Sequence, residues 1–184
     1  MSEFLIYFLL FATGTIDQQI AMAGKAAVQR AEFHKQTAAM LPYADAKLSE
    51  EIADALQDSG REFDVDPKLM LALVYVESAG NPRAVSKVGA LGLTQVMPET
   101  GEQIARELGV PWTGPKMLFD VRVNIRFGTF YMRQLLDRFD NKKHAIASYN
   151  FGPNGISRRL RNGQNIPSRY ASKVLRNRAR VERL

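Results

Sequence analysis

One carboxylate stands out by its company. Glu77 closes the run Lys68-Leu69-Met70-Leu71-Ala72-Leu73-Val74-Tyr75-Val76-Glu77-Ser78. Leu73 precedes it by four residues and Met70 by seven, spacings that put all three side chains on one face of a helix. That face is apolar, so the carboxylate points into or beside a core, where Glu is rarely found without a reason. The end of a helix adds the negative pole of its dipole. Desolvation and dipole both oppose ionisation and should raise the pKa. An acid that stays protonated near neutral pH can act as a general acid, as glycoside cleavage requires. A buried Glu paired with an Arg or a backbone donor fits the same spacing, and the residues alone leave both readings open.

Other chemistries find little support. Cysteine is absent, which excludes thiol nucleophiles, thiolate metal sites and disulfides. The two histidines, His34 and His144, lie far apart and outside any ligand-spaced cluster, so neither a metal nor a cofactor is expected. A second catalytic carboxylate is not evident. Glu99, Glu102 and Asp120 belong to other expected elements.

The elements that must position Glu77 are helical. Asp66-Pro67 reads as a cap followed by Pro at the first helical position, opening an all-round apolar, buried helix that Gly80-Asn81-Pro82 stops. Further helices are expected over 49–60, 99–108, 120–139, 142–148 and 168–183, with a glycine-spaced loop or short hairpin between Arg83 and Pro98. Residues 44–184 thus read as a compact helical domain. Before it, 15–43 reads as a helical arm whose weak apolar stripe suits a partner more than a core, broken at Leu41-Pro42-Tyr43. The first fourteen residues contain nine consecutive apolar ones, Phe4 to Ala12. At about 1.5 Å per residue, such a helix is too short to span a bilayer alone. It suits a secretory signal, although no positive residue leads it; a retained apolar anchor and a helix packed on partner subunits are the other readings.

The chain has 184 residues and a formal net charge of +6. Charge is uneven: from Ile156 to Leu184 there are nine Lys or Arg and one acid, Glu182. That segment is either a solvated helix face or a surface for an anionic polymer, a membrane or nucleic acid.

Longer patterns carry more. Glu77-Ser78-Ala79-Gly80-Asn81-Pro82 is followed by Ala84, Ser86, Gly89-Ala90, Gly92-Leu93, Gln95, Met97-Pro98 and Thr100-Gly101. Then come Asn124, Gly128 and Tyr131, next Ala147-Ser148-Tyr149-Asn150-Phe151-Gly152-Pro153, and last Tyr170-Ala171-Ser172-Lys173-Val174-Leu175. In this order they resemble the soluble-type (SLT) lytic transglycosylases of the lysozyme-like superfamily, over about residues 44 to 177. The resemblance implies a mainly α, lysozyme-like (goose-type) catalytic domain with a sugar groove. It implies Glu77 as the catalytic acid/base. It implies Gln95, Met97 and Tyr149 as sugar contacts and Ser86, Thr100 and Asn150 as further polar positions. Their ordinary readings stay open: Ser86, Thr100 and Asn150 as turn caps, Met97 as core filler. Thr94 and Phe151 depart from the pattern and are expected to alter subsite shape.

With one acid, the resemblance implies a substrate-assisted route, an exception to the two-carboxylate rule. The substrate would be the peptidoglycan bond between N-acetylmuramic acid and N-acetylglucosamine, and the product a 1,6-anhydro end. A hydrolytic lysozyme, a non-catalytic structural protein on the same fold, and nucleic-acid binding through the basic segment are the competing readings. The expected place of action is the cell wall, reached by bacterial export or in a phage particle. Contact with a membrane or a protein assembly is expected of residues 1–43.

Overall fold

The computed structural model describes residues 2–184, with side chains from Gln18 onward. The side chains of the apolar segment 1–14, expected as a signal or anchor, lie outside the described residues. Among the described residues no helix is long and apolar enough to cross a membrane.

Among the described residues eight helices follow one another: α1 (Ser2–Met40), α2 (Ala46–Phe63), α3 (Pro67–Ser78), α4 (Pro98–Glu107), α5 (Val121–Arg138), α6 (Lys142–Phe151), α7 (Pro153–Arg161) and α8 (Arg169–Val181). A 3-10 turn, Pro115–Phe119, precedes α5. Between α3 and α4 the chain makes two isolated antiparallel bridges, Val85 with Leu91 and Leu91 with Val96.

α3 is the axis. Asp66 accepts a hydrogen bond from the Lys68 N–H at 2.9 Å, and Pro67 occupies a position where its missing N–H costs nothing. Six consecutive residues, Leu69 to Val74, are buried, so the helix is enclosed on all sides. α2 covers one flank with Ile52, Ala53, Leu56 and Gly60, the spacing of a single helical stripe. Gly60 is needed where α2 turns into α3. A Cβ there would sit 2.8 Å from Pro67 Cγ and from the Val65 carbonyl oxygen. α8 covers another flank through Ala171, Val174 and Val181. The helix ends at Ala79, in the left-handed region with φ 52°, and Gly80 then packs against Leu41 at the end of α1.

From Gln18 to Glu32 every residue of α1 is exposed. From Phe33 on, the same helix joins the domain. Phe33, Met40 and Leu41 are buried in the main core. Asp54 on α2 holds this end, taking Arg30 at 2.7 Å and His34 at 2.8 Å.

A second, smaller core of Leu91, Val96, Ile104, Ala105, Leu118 and Phe127 lies under the bridged loop and α4. α5 serves both: Ile125 and Met132 face the main core, Phe127 the smaller one. Tyr131 packs against each, at their junction.

Candidate active site

The last turn of α3 delivers Glu77 and Ser78. The Ser78 hydroxyl lies 2.8 Å from the Leu93 carbonyl oxygen and 3.1 Å from that of Val74, which ties the end of α3 to the bridged loop. Glu77 itself is half-buried. Its Oε1 accepts a hydrogen bond from the Tyr170 hydroxyl on α8. Burial raises the Glu77 pKa; the Tyr170 hydrogen bond and the nearby charge of Lys173 pull it down, and the net shift is upward. Among the described residues, no second carboxylate acts on this charge. Asp120 caps α5 through the Val123 N–H at 2.9 Å, Glu102 pairs with Arg106 at 3.1 Å, and Glu99 is exposed.

Asn124 on α5 sets the loop beside Glu77. Its Nδ2 donates to the carbonyls of Leu91 at 2.9 Å and Leu118 at 2.8 Å. Its Oδ1 accepts from the Thr94 N–H at 2.8 Å and from the Thr94 hydroxyl at 2.7 Å. Every polar atom of this buried amide is used, the condition under which a buried polar group fixes a geometry instead of weakening it. Two glycines make room. A Cβ on Gly92 would lie 2.3 Å from Asn124 Nδ2, and one on Gly128 would lie 2.4 Å from Thr94 Oγ1. Thr94 therefore points into the interior, not the groove. Only its carbonyl reaches the site, where it accepts the Tyr149 hydroxyl at 2.9 Å.

Gln95, with φ 53°, turns into the left-handed region. Its Nε2 donates to the carbonyls of Gly92 at 2.8 Å and Ala84 at 3.2 Å, leaving the side-chain oxygen free to accept. A cavity of about 240 Å³ opens here, lined by Gln95, Val96, Met97, Thr100, Tyr131, Tyr149, Asn150 and Gly152. Five of the six sequence-derived binding candidates thus converge on one space. Ser86 does not: its hydroxyl accepts the Ala90 N–H at 2.9 Å and closes the 86–90 turn. Tyr149 stacks at a tilt on Tyr131, ring centroids 5.4 Å apart, and joins the cavity to the acid. Burial first, then the negative charge of Glu77, pushes both the Tyr149 and the Tyr170 phenol well above the ordinary tyrosine range, so both remain donors. A larger cavity of about 410 Å³ lies between α1 and the start of α3, but its walls, including Val28, Phe33, Gln36 and Asp66, hold none of the patterned residues.

Tyr170 is not among the sequence-derived binding candidates, although it opens the last sequence pattern. Nothing local links it to Glu77; the contact exists because α8 packs along α3. Among the described residues, no group of three or more His, Asp or Glu is placed to hold a metal.

A mainly α, lysozyme-like fold with one shielded carboxylic acid beside a sugar-sized recess defines the class. The family model "Transglycosylase SLT domain" matches residues 54–171, and the chain belongs to that family. The soluble lytic murein transglycosylase of Salmonella typhimurium is 36% identical over 95 residues, half of this chain and 15% of that protein. The transglycosylase of Enterobacteria phage PRD1 is 39% identical over 93 residues, half of this chain and 32% of that protein. The crystal structure of the 70 kDa soluble lytic transglycosylase of Escherichia coli superposes with a TM-score of 0.64 and 25% identity, covering 75% of this chain and 26% of that one. The chain therefore spans less than a third of each of these relatives.

Two outcomes are expected. Asn124→Asp replaces two donors by acceptors facing the carbonyls of Leu91 and Leu118, and should cost about 2–4 kcal/mol in urea unfolding at neutral pH. Unchanged stability would remove Asn124 as the organiser of the loop. The second concerns pH. Because the folded pKa of Glu77 lies above its ordinary 4.5, its proton contributes nothing unfavourable at acid pH. As pH rises past 4.5 the unfolded chain ionises first, and stability falls until the folded carboxyl also ionises. The melting temperature of Glu77→Gln relative to the unaltered chain should therefore climb with pH across that window and then level off. A gap independent of pH would contradict the shift.

Proposed function

We propose that this chain is a peptidoglycan lytic transglycosylase and that Glu77 is its acid and then its base. The observation that carries the reading is Glu77 itself, shielded so that its pKa is raised and adjoining a recess with a tyrosine wall. The relatives named above support the substrate class.

The chemistry follows from what each group has left to offer. Protonated Glu77 donates to the oxygen bridging N-acetylmuramic acid and N-acetylglucosamine, and the glycosidic bond breaks. The muramoyl N-acetyl carbonyl closes on the anomeric carbon and holds the developing charge. Glu77, now ionised, is stabilised by the Tyr170 hydroxyl and by Lys173, the two groups that lower its pKa. It next takes the proton of the C6 hydroxyl of the same sugar. That oxygen attacks the anomeric carbon, expels the acetamido oxygen and leaves a 1,6-anhydro end. No water is consumed. The free Gln95 oxygen is placed to accept from an N–H or hydroxyl of the sugar, Met97 gives the recess an apolar wall, and Thr100 and Asn150 offer polar contacts. Tyr149, spent on the Thr94 carbonyl, acts mainly as a wall. Such an activity belongs at the cell wall, reached by bacterial export or in a phage particle.

Glu77→Gln should retain the fold and lower solubilisation of purified wall by about a hundredfold or more, the usual effect of losing a general acid. Mass spectrometry of the products formed by the unaltered chain should show ends one water lighter than hydrolysis gives. An active Gln variant would end the assignment of Glu77. Reducing ends carrying that water would make the chain a lysozyme.

A further inference from the structure

From Gln18 to Glu32, α1 is a helix that its own domain leaves uncovered. A helix of that length, about 22 Å, is marginal by itself in water. Opposite charges three or four residues apart would support it, and within this stretch there are none. Its charged residues are Lys25, Arg30 and Glu32, and Arg30 is taken by Asp54 at 2.7 Å. Met22 and Val28 stand 67% and 70% exposed.

The cavity of about 410 Å³ between α1 and the start of α3 begins where this stretch ends. Val28, Gln29, Glu32, Phe33 and Gln36 form its α1 wall, with Gln57 of α2 and Pro67 of α3 among the others. Gln36 is 5% exposed, and its Nε2 donates to Glu32 Oε1 at 3.3 Å. Among the described residues its side-chain oxygen has no donor. Val28 and Gln29 belong both to the open stretch and to the cavity, so the uncovered face runs into the cavity without a break. Gln18, Met22, Lys25, Gln29, Glu32 and Gln36, spaced by four and three residues, share that face.

The charges on this face select what covers it. It carries one cation, Lys25, and one anion, Glu32, and among the described residues neither has an ion pair. A face without net charge attracts neither anionic lipid nor nucleic acid. Turned end for end, however, it is complementary to itself. About a two-fold axis between Val28 and Gln29, Lys25 of each helix comes level with Glu32 of the other. The same register brings Met22 of the second copy level with the cavity, between Phe33 and Gln36, where a flexible thioether can fill irregular space. We infer that α1 pairs antiparallel with α1 of a second copy, the Met22 of each entering the cavity of the other. Strips of this length make an interface at the small end of the specific range, about 1,200 Å² or less in total. The dimer is therefore reversible, with a Kd of roughly 1–100 µM. The inference does not depend on Glu77 or its chemistry.

Sedimentation velocity of the full chain across that concentration range should show monomer passing into dimer. Lys25→Glu and Glu32→Lys each replace two attractive pairs per dimer by two repulsive ones, and each should raise the dimer Kd about tenfold or more. Mixing the two variants should restore dimers, because Glu at 25 of one then meets Lys at 32 of the other, and the original Glu32 and Lys25 meet likewise. An effect confined to one chain could not be rescued by mixing. Circular dichroism should show the same helix content in all three chains. If a charge variant does not fold, cross-linking decides, since the chain has no cysteine of its own. Gln29→Cys, next to the axis, should oxidise to a disulfide-linked dimer. Ile20→Cys should not, because antiparallel pairing holds the two copies of that position about 25 Å apart along the helices. A chain monomeric at every concentration, or a dimer indifferent to the charge changes and to mixing, would overturn the inference. Cross-linking at Ile20→Cys without Gln29→Cys would mean parallel association and would overturn it too. A monomer that sediments with phosphatidylcholine vesicles, and loses them on Met22→Glu, would make a membrane the occupant instead.

Discussion

A carboxyl group held at the end of an enclosed helix is the constraint from which the rest of the arrangement follows. Leu69 to Val74 leave that stretch of α3 no solvent face, and its half-buried last turn carries Glu77 out of the main core. In the proposed chemistry burial alone would make Glu77 inert, because the charge left after it gives up its proton would have no partner. Tyr170 and Lys173, both from α8, supply that support from outside the helix. The opposed influences leave the pKa raised, yet keep the anion within reach.

The recess depends on a different device. Asn124 binds four backbone or hydroxyl groups drawn from Leu91, Thr94 and Leu118, and so fixes a loop that has almost no regular structure of its own. Gly92 and Gly128 are required because Asn124 and Thr94 occupy the space a Cβ would need. The loop then presents three things at once: the Gln95 side-chain oxygen, the Thr94 carbonyl that anchors Tyr149, and the Leu93 carbonyl that receives Ser78. A single buried amide thus links α5, the loop and the end of the helix bearing the acid.

Much of this is legible in the sequence, and unevenly so. Asp66-Pro67 marks the start of α3, and the spacing of Met70, Leu73 and Glu77 places the carboxylate on an apolar face, because both signals are local. α2 begins earlier than its sequence pattern suggests, since Asp45 rather than Ser49 caps it, through the Leu48 N–H at 2.8 Å. α7 escapes the sequence pattern altogether. Gly152 at φ 81° releases the chain and Pro153 starts a helix that the expected helices did not include. Thr94, by its departure from the family pattern, is expected to shape a subsite; its side chain faces Asn124 instead, a consequence of loop packing that no local pattern carries. The Tyr170 contact with Glu77 joins residues far apart in the chain and becomes visible only once α8 lies on α3. The end of α1 likewise reads as part of an arm, whereas Phe33, Met40 and Leu41 complete the main core.

The measurement that bears most directly on the account is the titration of one carboxyl carbon. With glutamate labelled at the side-chain carboxyl with carbon-13, the NMR signal that disappears in Glu77→Gln belongs to this group. Its midpoint should lie clearly above the ordinary 4.5. A midpoint at or below that value would mean a solvated or fully paired carboxylate, and the proton on which the proposed chemistry relies would not be there.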